Sequence, residues 1–227
     1  MKNGTQEELK KFTNWKMNEV IPGINEVEWV DVEKKLHQIL PFTKTVHIDL
    51  MDGMFVPRKT FGTPQAFAPY TDKALFEVHM MVENPIQHLK AWADAGFERF
   101  LGHVEMMPDP TEFVAQAQQY GAAGLAIDGP TSIEALNSLN LNTLDCLLIM
   151  TIKAGESGRA FQAELLEKVK KIKQTHGYLP IEVDGGINDE TIVAAKGAGA
   201  SRFVTTSSLF GSQNIKEEYE NLTSLIL

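Results

Sequence analysis

The sequence is poor in three things, and each shortage excludes a class of protein. It has one cysteine, Cys146, among 227 residues. A single thiol closes no internal disulfide, so a reducing compartment, the cytoplasm, is the expected location. It is short of positive charge: 21 lysines and arginines stand against 30 aspartates and glutamates, a formal charge of −9 with histidine neutral. Nucleic acid and anionic membrane surfaces call for a basic face, so neither is an expected partner. It also lacks any apolar run approaching the roughly 20 residues that span a bilayer, and residues 1–8 carry no hydrophobic segment of a signal peptide. What is there is ordinary globular material, 43% apolar and 22% charged, enough to build a core.

From about residue 19 onward, short apolar or β-branched runs alternate with amphipathic stretches. The runs cover residues 20–22, 45–50, 75–79, 99–104, 124–127, 147–151, 180–184 and 202–205. Residues 86–93 and 163–170 show helical spacing between them. Helix-start signals stand at Asn84-Pro85, Asp109-Pro110, Pro130-Thr131-Ser132 and Asn188-Asp189-Glu190-Thr191, and stops at Gly96, Gly121, Gly177 and Gly199. Eight strands, each followed by a helical or turn-rich segment, predict a parallel sheet closed into a (β/α)8 TIM barrel. An open doubly wound sheet is the alternative, but it usually carries a glycine fingerprint after its first strand, and Pro22-Gly23-Ile24-Asn25 is not one. The expected organisation is a single barrel domain over residues 19–227 and an additional N-terminal helix within residues 1–18.

In such a barrel the chemistry sits at the C-terminal ends of the strands. Residues two apart on a strand share a face. His47, Asp49 and Met51 therefore point one way, and Val46, Ile48 and Leu50 the other. Glu77, His79 and Met81 repeat the pattern, as do Glu182 and Asp184, while the fourth run ends in His103 and Glu105. His37, His88 and His176 fall in helical stretches and need no function. Convergence of His47, Asp49, His79 and Asp184 would bury charges, a cost relieved by one divalent metal ion (Zn, Fe, Mn or Co) or by an ion-pair network. Asp49 and Asp184, on distant strands, would face each other across the mouth. That placement suits proton removal from one face of a carbon next to a carbonyl and return to the other. Met51 and Met81 would line the same site as an apolar wall, or simply fill core. Gly185-Gly186, Thr206-Ser207 and the loop 153–159, with Gly155 and Gly158, sit where barrels bind phosphate.

Several longer segments match a known pattern: residues 47–57 and 78–85, His103-Val104-Glu105, Met150-Thr151, residues 182–186 and Phe210-Gly211. On these segments the sequence resembles the ribulose-phosphate 3-epimerase family from about residue 19 to residue 220. The resemblance implies a (β/α)8 barrel that interconverts D-ribulose 5-phosphate and D-xylulose 5-phosphate and forms a homo-oligomer. It implies Asp49 and Asp184 as the acid/base pair, His47, Asp49, His79 and Asp184 as metal ligands, and a sugar phosphate as partner. The substrate would lie against Met51, Met81, Gly155, Gly158, Gly185, Gly186, Thr206 and Ser207. Three segments depart from the pattern. Pro22-Gly23-Ile24-Asn25 replaces Pro-Ser-Ile-Leu, and residues 154–159 replace Pro-Gly-Phe-Gly-Gly-Gln and bring in Glu156. Thr206-Ser207 replaces Gly-Ser. These changes leave open a different ketose or a ketose 6-phosphate as substrate, and a non-catalytic sugar-phosphate-binding barrel.

Overall fold

The computed structural model describes residues 18–155 and 160–227. The expected N-terminal helix and Gly158 lie outside the described residues. Eight strands, β1 (Glu19–Ile24), β2 (Thr45–Met51), β3 (Leu75–Met81), β4 (Arg99–His103), β5 (Ala122–Ile127), β6 (Cys146–Met150), β7 (Ile181–Asp184) and β8 (Arg202–Thr205), close into one parallel barrel. β8 pairs back onto β1 through Glu19↔Arg202 to Pro22↔Thr205, so the open-sheet alternative is excluded. The eight apolar runs are these eight strands. β1 continues past its run, because Gly23 and Ile24 still pair with His47 and Ile48 of β2.

Parallel neighbours need a crossover, and helices supply most of them. Among the described residues these are α1 (Trp29–Ile39), α2 (Leu89–Asp94), α3 (Pro110–Ala117), α4 (Leu166–Thr175), α5 (Asp189–Ala198), α6 (Ser207–Gly211) and α7 (Ile215–Ile226). Two of the four start signals act through side-chain caps, while Asn84-Pro85 opens a 3-10 turn, Pro85–His88, without one. Asp109 accepts from the amides of Thr111 and Glu112, and Asn188 and Thr191 form a reciprocal capping box. The signal at Pro130-Thr131-Ser132 opens only a 3-10 turn, Ile133–Leu136. Asn140 then accepts from the amide of Asn142, a local bond that competes with helix propagation.

Alternation sorts the side chains into two cores. Val46, Ile48, Leu50, Phe76, Val78 and Met80 face outward and pack with Val32, Leu36 and Ile39 of α1 and the apolar stripes of the other helices. Each fully buried chain of this size contributes about 1.5–3 kcal/mol relative to exposure. Met51, Met81, Leu101, Ala126, Leu148 and Met150 face inward. Gly124 makes room there, since a Cβ would run into Leu101 Cδ2 and Cys146 O. No helix among the described residues is long and apolar enough to cross a membrane.

Toward the N-terminal ends of the strands the barrel interior is closed by an ion network. Arg202 donates from Nε to Glu182 (2.9 Å), from Nη2 to Glu77 (3.2 Å) and from Nη1 to Glu19 (2.8 Å). Arg99 Nη1 donates to Glu77 Oε2 at 2.7 Å, and Glu77, Glu182, Arg99 and Arg202 are each at most 1% exposed. Burial pushes the neighbouring Cys146 thiol up to about 12, which keeps it an inert apolar filler. This floor positions the layer above it.

Candidate active site

One layer nearer the mouth, β2 and β3 run in register, with His47 level with Glu77 and Asp49 level with His79. The register and the inward alternation bring His47, Asp49, His79 and Asp184 together, their ligand-capable atoms all within 4.8 Å of one another. The floor orients the first histidine. A carboxylate only accepts, so His47 Nδ1 donates to Glu77 Oε1 at 2.8 Å, with Glu182 Oε1 at 3.4 Å. His47 Nε2 is then left with a lone pair. It is buried, has no hydrogen-bond partner among the described residues, and faces Asp49 Oδ1 at 3.3 Å.

A second chain orients His79. Glu105 Oε2 lies 3.0 Å from His103 Nδ1, and His103 Nε2 lies 2.8 Å from His79 Nε2. With Glu105 as acceptor, His103 carries its proton on Nδ1 and accepts from His79 Nε2, which leaves the lone pair of His79 on Nδ1. That atom points at Asp49 Oδ1 (2.9 Å) and Asp184 Oδ2 (3.7 Å). The centre of the layer is thus lined by acceptors: two imidazole lone pairs and two carboxylates. Such a set repels itself unless a cation or protons occupy it. Nitrogen and oxygen donors with hydrogen-bonded outer partners are the donor set of a divalent transition-metal site, which these four residues could hold.

The electrostatics of the two carboxylates diverge. Burial acts to raise the pKa of Asp49, but the hydrogen bonds and charges of His47 and His79 outweigh it and hold the group well below the usual carboxylate range. Burial and then the charge of Asp49 push Asp184 up to about 7. In the metal-free protein His47 is raised well above an ordinary histidine: burial opposes its charge, and Asp49, Glu182 and Glu77 overcome that opposition. His103 is lowered, chiefly by burial.

Above this layer lies a cleft of about 450 Å³ including its open mouth. Asp49, Asp184, Met51, Met81, Gly155, Gly185, Gly186, Thr206 and Ser207 all line it, so the residues singled out from sequence share one cavity. His47 and His79 are fully buried behind it. Gly185 and Gly186 adopt φ of 120° and 69°, backbone open to glycine at low cost, and both press against neighbours, Ile152 and Phe161. Sequence reasoning passed over Asn25, Met150, Ile152, Ile187 and Val204, which also line the cleft. Met150 was findable, because alternation puts it on the inward face with Leu148. Asn25 follows the apolar run 20–22 by three residues, where an asparagine reads as a turn.

A sequence profile described as the Ribulose-phosphate 3 epimerase family matches residues 19–210. A ribulose-phosphate 3-epimerase of Schizosaccharomyces pombe is 30% identical over 214 residues, covering 92% of this chain and 93% of the relative. One of Bacillus subtilis is 34% identical over 180 residues, covering 76% and 82%. Among solved structures, a 3-keto-L-gulonate-6-phosphate decarboxylase from Vibrio cholerae superposes with a TM-score of 0.71 at 11% identity, covering 93% of this chain and 97% of that one. A 3-hexulose-6-phosphate synthase from Salmonella typhimurium gives 0.70 at 10% identity, covering 92% and 98%. These two likenesses are of fold.

Proposed function

The chain belongs to the ribulose-phosphate 3-epimerase family, a family of isomerases, and on that premise we propose that it interconverts D-ribulose 5-phosphate and D-xylulose 5-phosphate by proton transfer between two carboxylates. The observation that carries this reading is the placement of Asp49 and Asp184 on β2 and β7, where both carboxylates line one cleft and can meet a ligand from different sides. In the metal-free protein one is held ionised and the other is pushed up to about 7.

With the ketose between them, Asp49 takes the C3 proton from one face and Asp184 delivers a proton to the other. In the reverse direction the roles exchange. His47 and His79, oriented by Glu77 and His103, flank Asp49 at 3.3 Å and 2.9 Å. Met51, Met81 and Met150 present an apolar wall that keeps water from the carbanionic carbon. The glycine turn at Gly185-Gly186, with Gly155 and Ser207, offers main-chain amides and a hydroxyl to the phosphate. A divalent metal held by His47, Asp49, His79 and Asp184 would supply Lewis-acid stabilisation of the enediolate oxygens.

The test is proton exchange in deuterated water, with divalent metal supplied, across ketose 5-phosphates, ketose 6-phosphates and their unphosphorylated forms. Deuterium at C3 of ribulose 5-phosphate is expected. No exchange with any of them would refute the reading. Metal analysis tests the ligand set separately: His79→Ala should lose bound metal, and full occupancy in that variant would contradict the assignment.

A further inference from the structure

The seam between β1 and β8 carries a polar corner that the proton-transfer chemistry does not use. Around the barrel from Asp49 to Asp184, by way of β1 and β8, the inward positions nearest the mouth are Asn25 and Thr206. Asn25 follows Ile24, which pairs with Ile48, so it stands level with Asp49. It is only 6% exposed, yet its carboxamide lines the cleft and has no hydrogen-bond partner among the described residues. Only its main-chain carbonyl is engaged, by Arg58 Nη2 at 2.7 Å. The polar atoms of the carboxamide reach the cleft, where water satisfies them in the free protein and a ligand hydroxyl could take its place.

Thr206 provides the second group. It is the residue before α6, where a threonine hydroxyl commonly caps the helix, but its side chain makes no capping bond. The hydroxyl is turned toward β1 instead. A Cβ built on Gly23 would lie 2.6 Å from Thr206 Oγ1 and 2.9 Å from Val204 Cγ1. Gly23 has no positive φ, so it is there for space and not for backbone freedom. Either Thr206 or a side chain at position 23 fits this corner, but not both.

We propose that Asn25 and Thr206 together bind one hydroxyl of the ketose and form a specificity determinant built across the β1–β8 seam. This rests on the epimerase reading of the site. A carboxamide and a hydroxyl each both donate and accept, which matches a sugar hydroxyl better than a carbonyl or a phosphate oxygen. The methionines that line the cleft, Met51, Met81 and Met150, offer no such partner.

The experiment compares the full-length, metal-supplied wild type with Thr206→Val, Asn25→Leu, Gly23→Ser and the double variant Gly23→Ser/Thr206→Gly. Circular dichroism and metal content check that each is folded and loaded. Calorimetric affinity for D-ribulose 5-phosphate is measured beside kcat and KM. Thr206→Val and Asn25→Leu are each expected to weaken binding and lower kcat/KM about 10-fold, the worth of one well-made hydrogen bond, with metal content unchanged. Gly23→Ser alone should lower both more strongly, and the double variant should recover most of that loss. Binding and kcat/KM within two-fold of wild type for both single removals would overturn the proposal, as would a double variant no better than Gly23→Ser. If the wild type exchanges no proton with any ketose phosphate, the epimerase reading fails, and the calorimetric comparison still decides the corner.

Discussion

Two buried clusters of charge stand one above the other in this barrel, sharing β3 and β7 and differing in one respect. In the floor, Glu19, Glu77 and Glu182 each meet a guanidinium of Arg99 or Arg202. In the layer above, Asp49 and Asp184 meet only histidines, and the lone pairs of those histidines converge with the carboxylates. The consequence shows in the pKa values. Glu182, despite its burial, is lowered to about 2 by His47 and the two arginines, whereas Asp184 is pushed up to about 7. Fixed cations make the floor a closed structural network. Their absence leaves the upper layer a set of acceptors that only protons or a cation would neutralise.

Breaking each cluster should therefore break a different property. The largest effect belongs to the upper layer: Asp184→Asn or Asp49→Asn should lower kcat on the order of 10²–10⁴-fold, and Asp184→Asn should leave the melting temperature of the metal-free protein unchanged or higher. Steady-state kinetics and thermal melts read both. In the floor, Arg202→Met takes from Glu182 its nearest guanidinium and leaves Arg99 as the one guanidinium on Glu77, and it should cost about 3–5 kcal/mol of stability, measured by urea unfolding. A stable Arg202→Met protein, or a strongly destabilised Asp184→Asn, would erase the distinction.

pH sharpens the same contrast through opposite signs. Asp184 binds its proton more tightly folded than unfolded, so its contribution is present below 3.8 and is lost as pH rises through about 7. Glu182 does the reverse: its contribution is present above 4.5 and is lost as pH falls toward about 2. The metal-free protein should lose stability between pH 4 and 7 on account of Asp184, and Asp184→Asn should flatten that slope. Saturating divalent metal should reverse it, because metal binding favours the deprotonated carboxylate. Unfolding at a series of pH values, with and without chelator, checks this. The smallest effect is expected outside both clusters, at the exposed Lys90–Asp94 pair on α2, where Lys90→Ala should leave the melting temperature unmoved.

The upper layer was legible in the sequence, whereas of the floor only Glu77 and Glu182 were placed inward and their arginine partners were not, for a physical reason. His47, Asp49 and Met51 alternate with Val46, Ile48 and Leu50, and period-two alternation announces which face is inward. The strands themselves, the caps at Asp109 and Asn188 and the closure of the barrel follow from equally local patterns. Arg99 and Arg202 open their strands, where an arginine reads as a solvated end, and their partners lie 22, 20 and 125 residues away. Glu77 with Arg99 and Glu182 with Arg202 pair across neighbouring strands, and only closure of the barrel brings Arg202 to Glu77 and Glu19 as well. Asn25 was missed on similar grounds, since its significance depends on Thr206 from the last strand filling the space beside Gly23.

The central claim is that two carboxylates work from opposite faces of one carbon, and early-time isotope distribution tests it most directly. D-ribulose 5-phosphate is incubated with the metal-supplied enzyme in deuterated water, and both epimers are examined by NMR before equilibrium. The account predicts deuterium at C3 of the xylulose 5-phosphate formed, with the remaining ribulose 5-phosphate still carrying its original proton. Deuterium entering both epimers equally from the start would point to one base serving both faces and would contradict it.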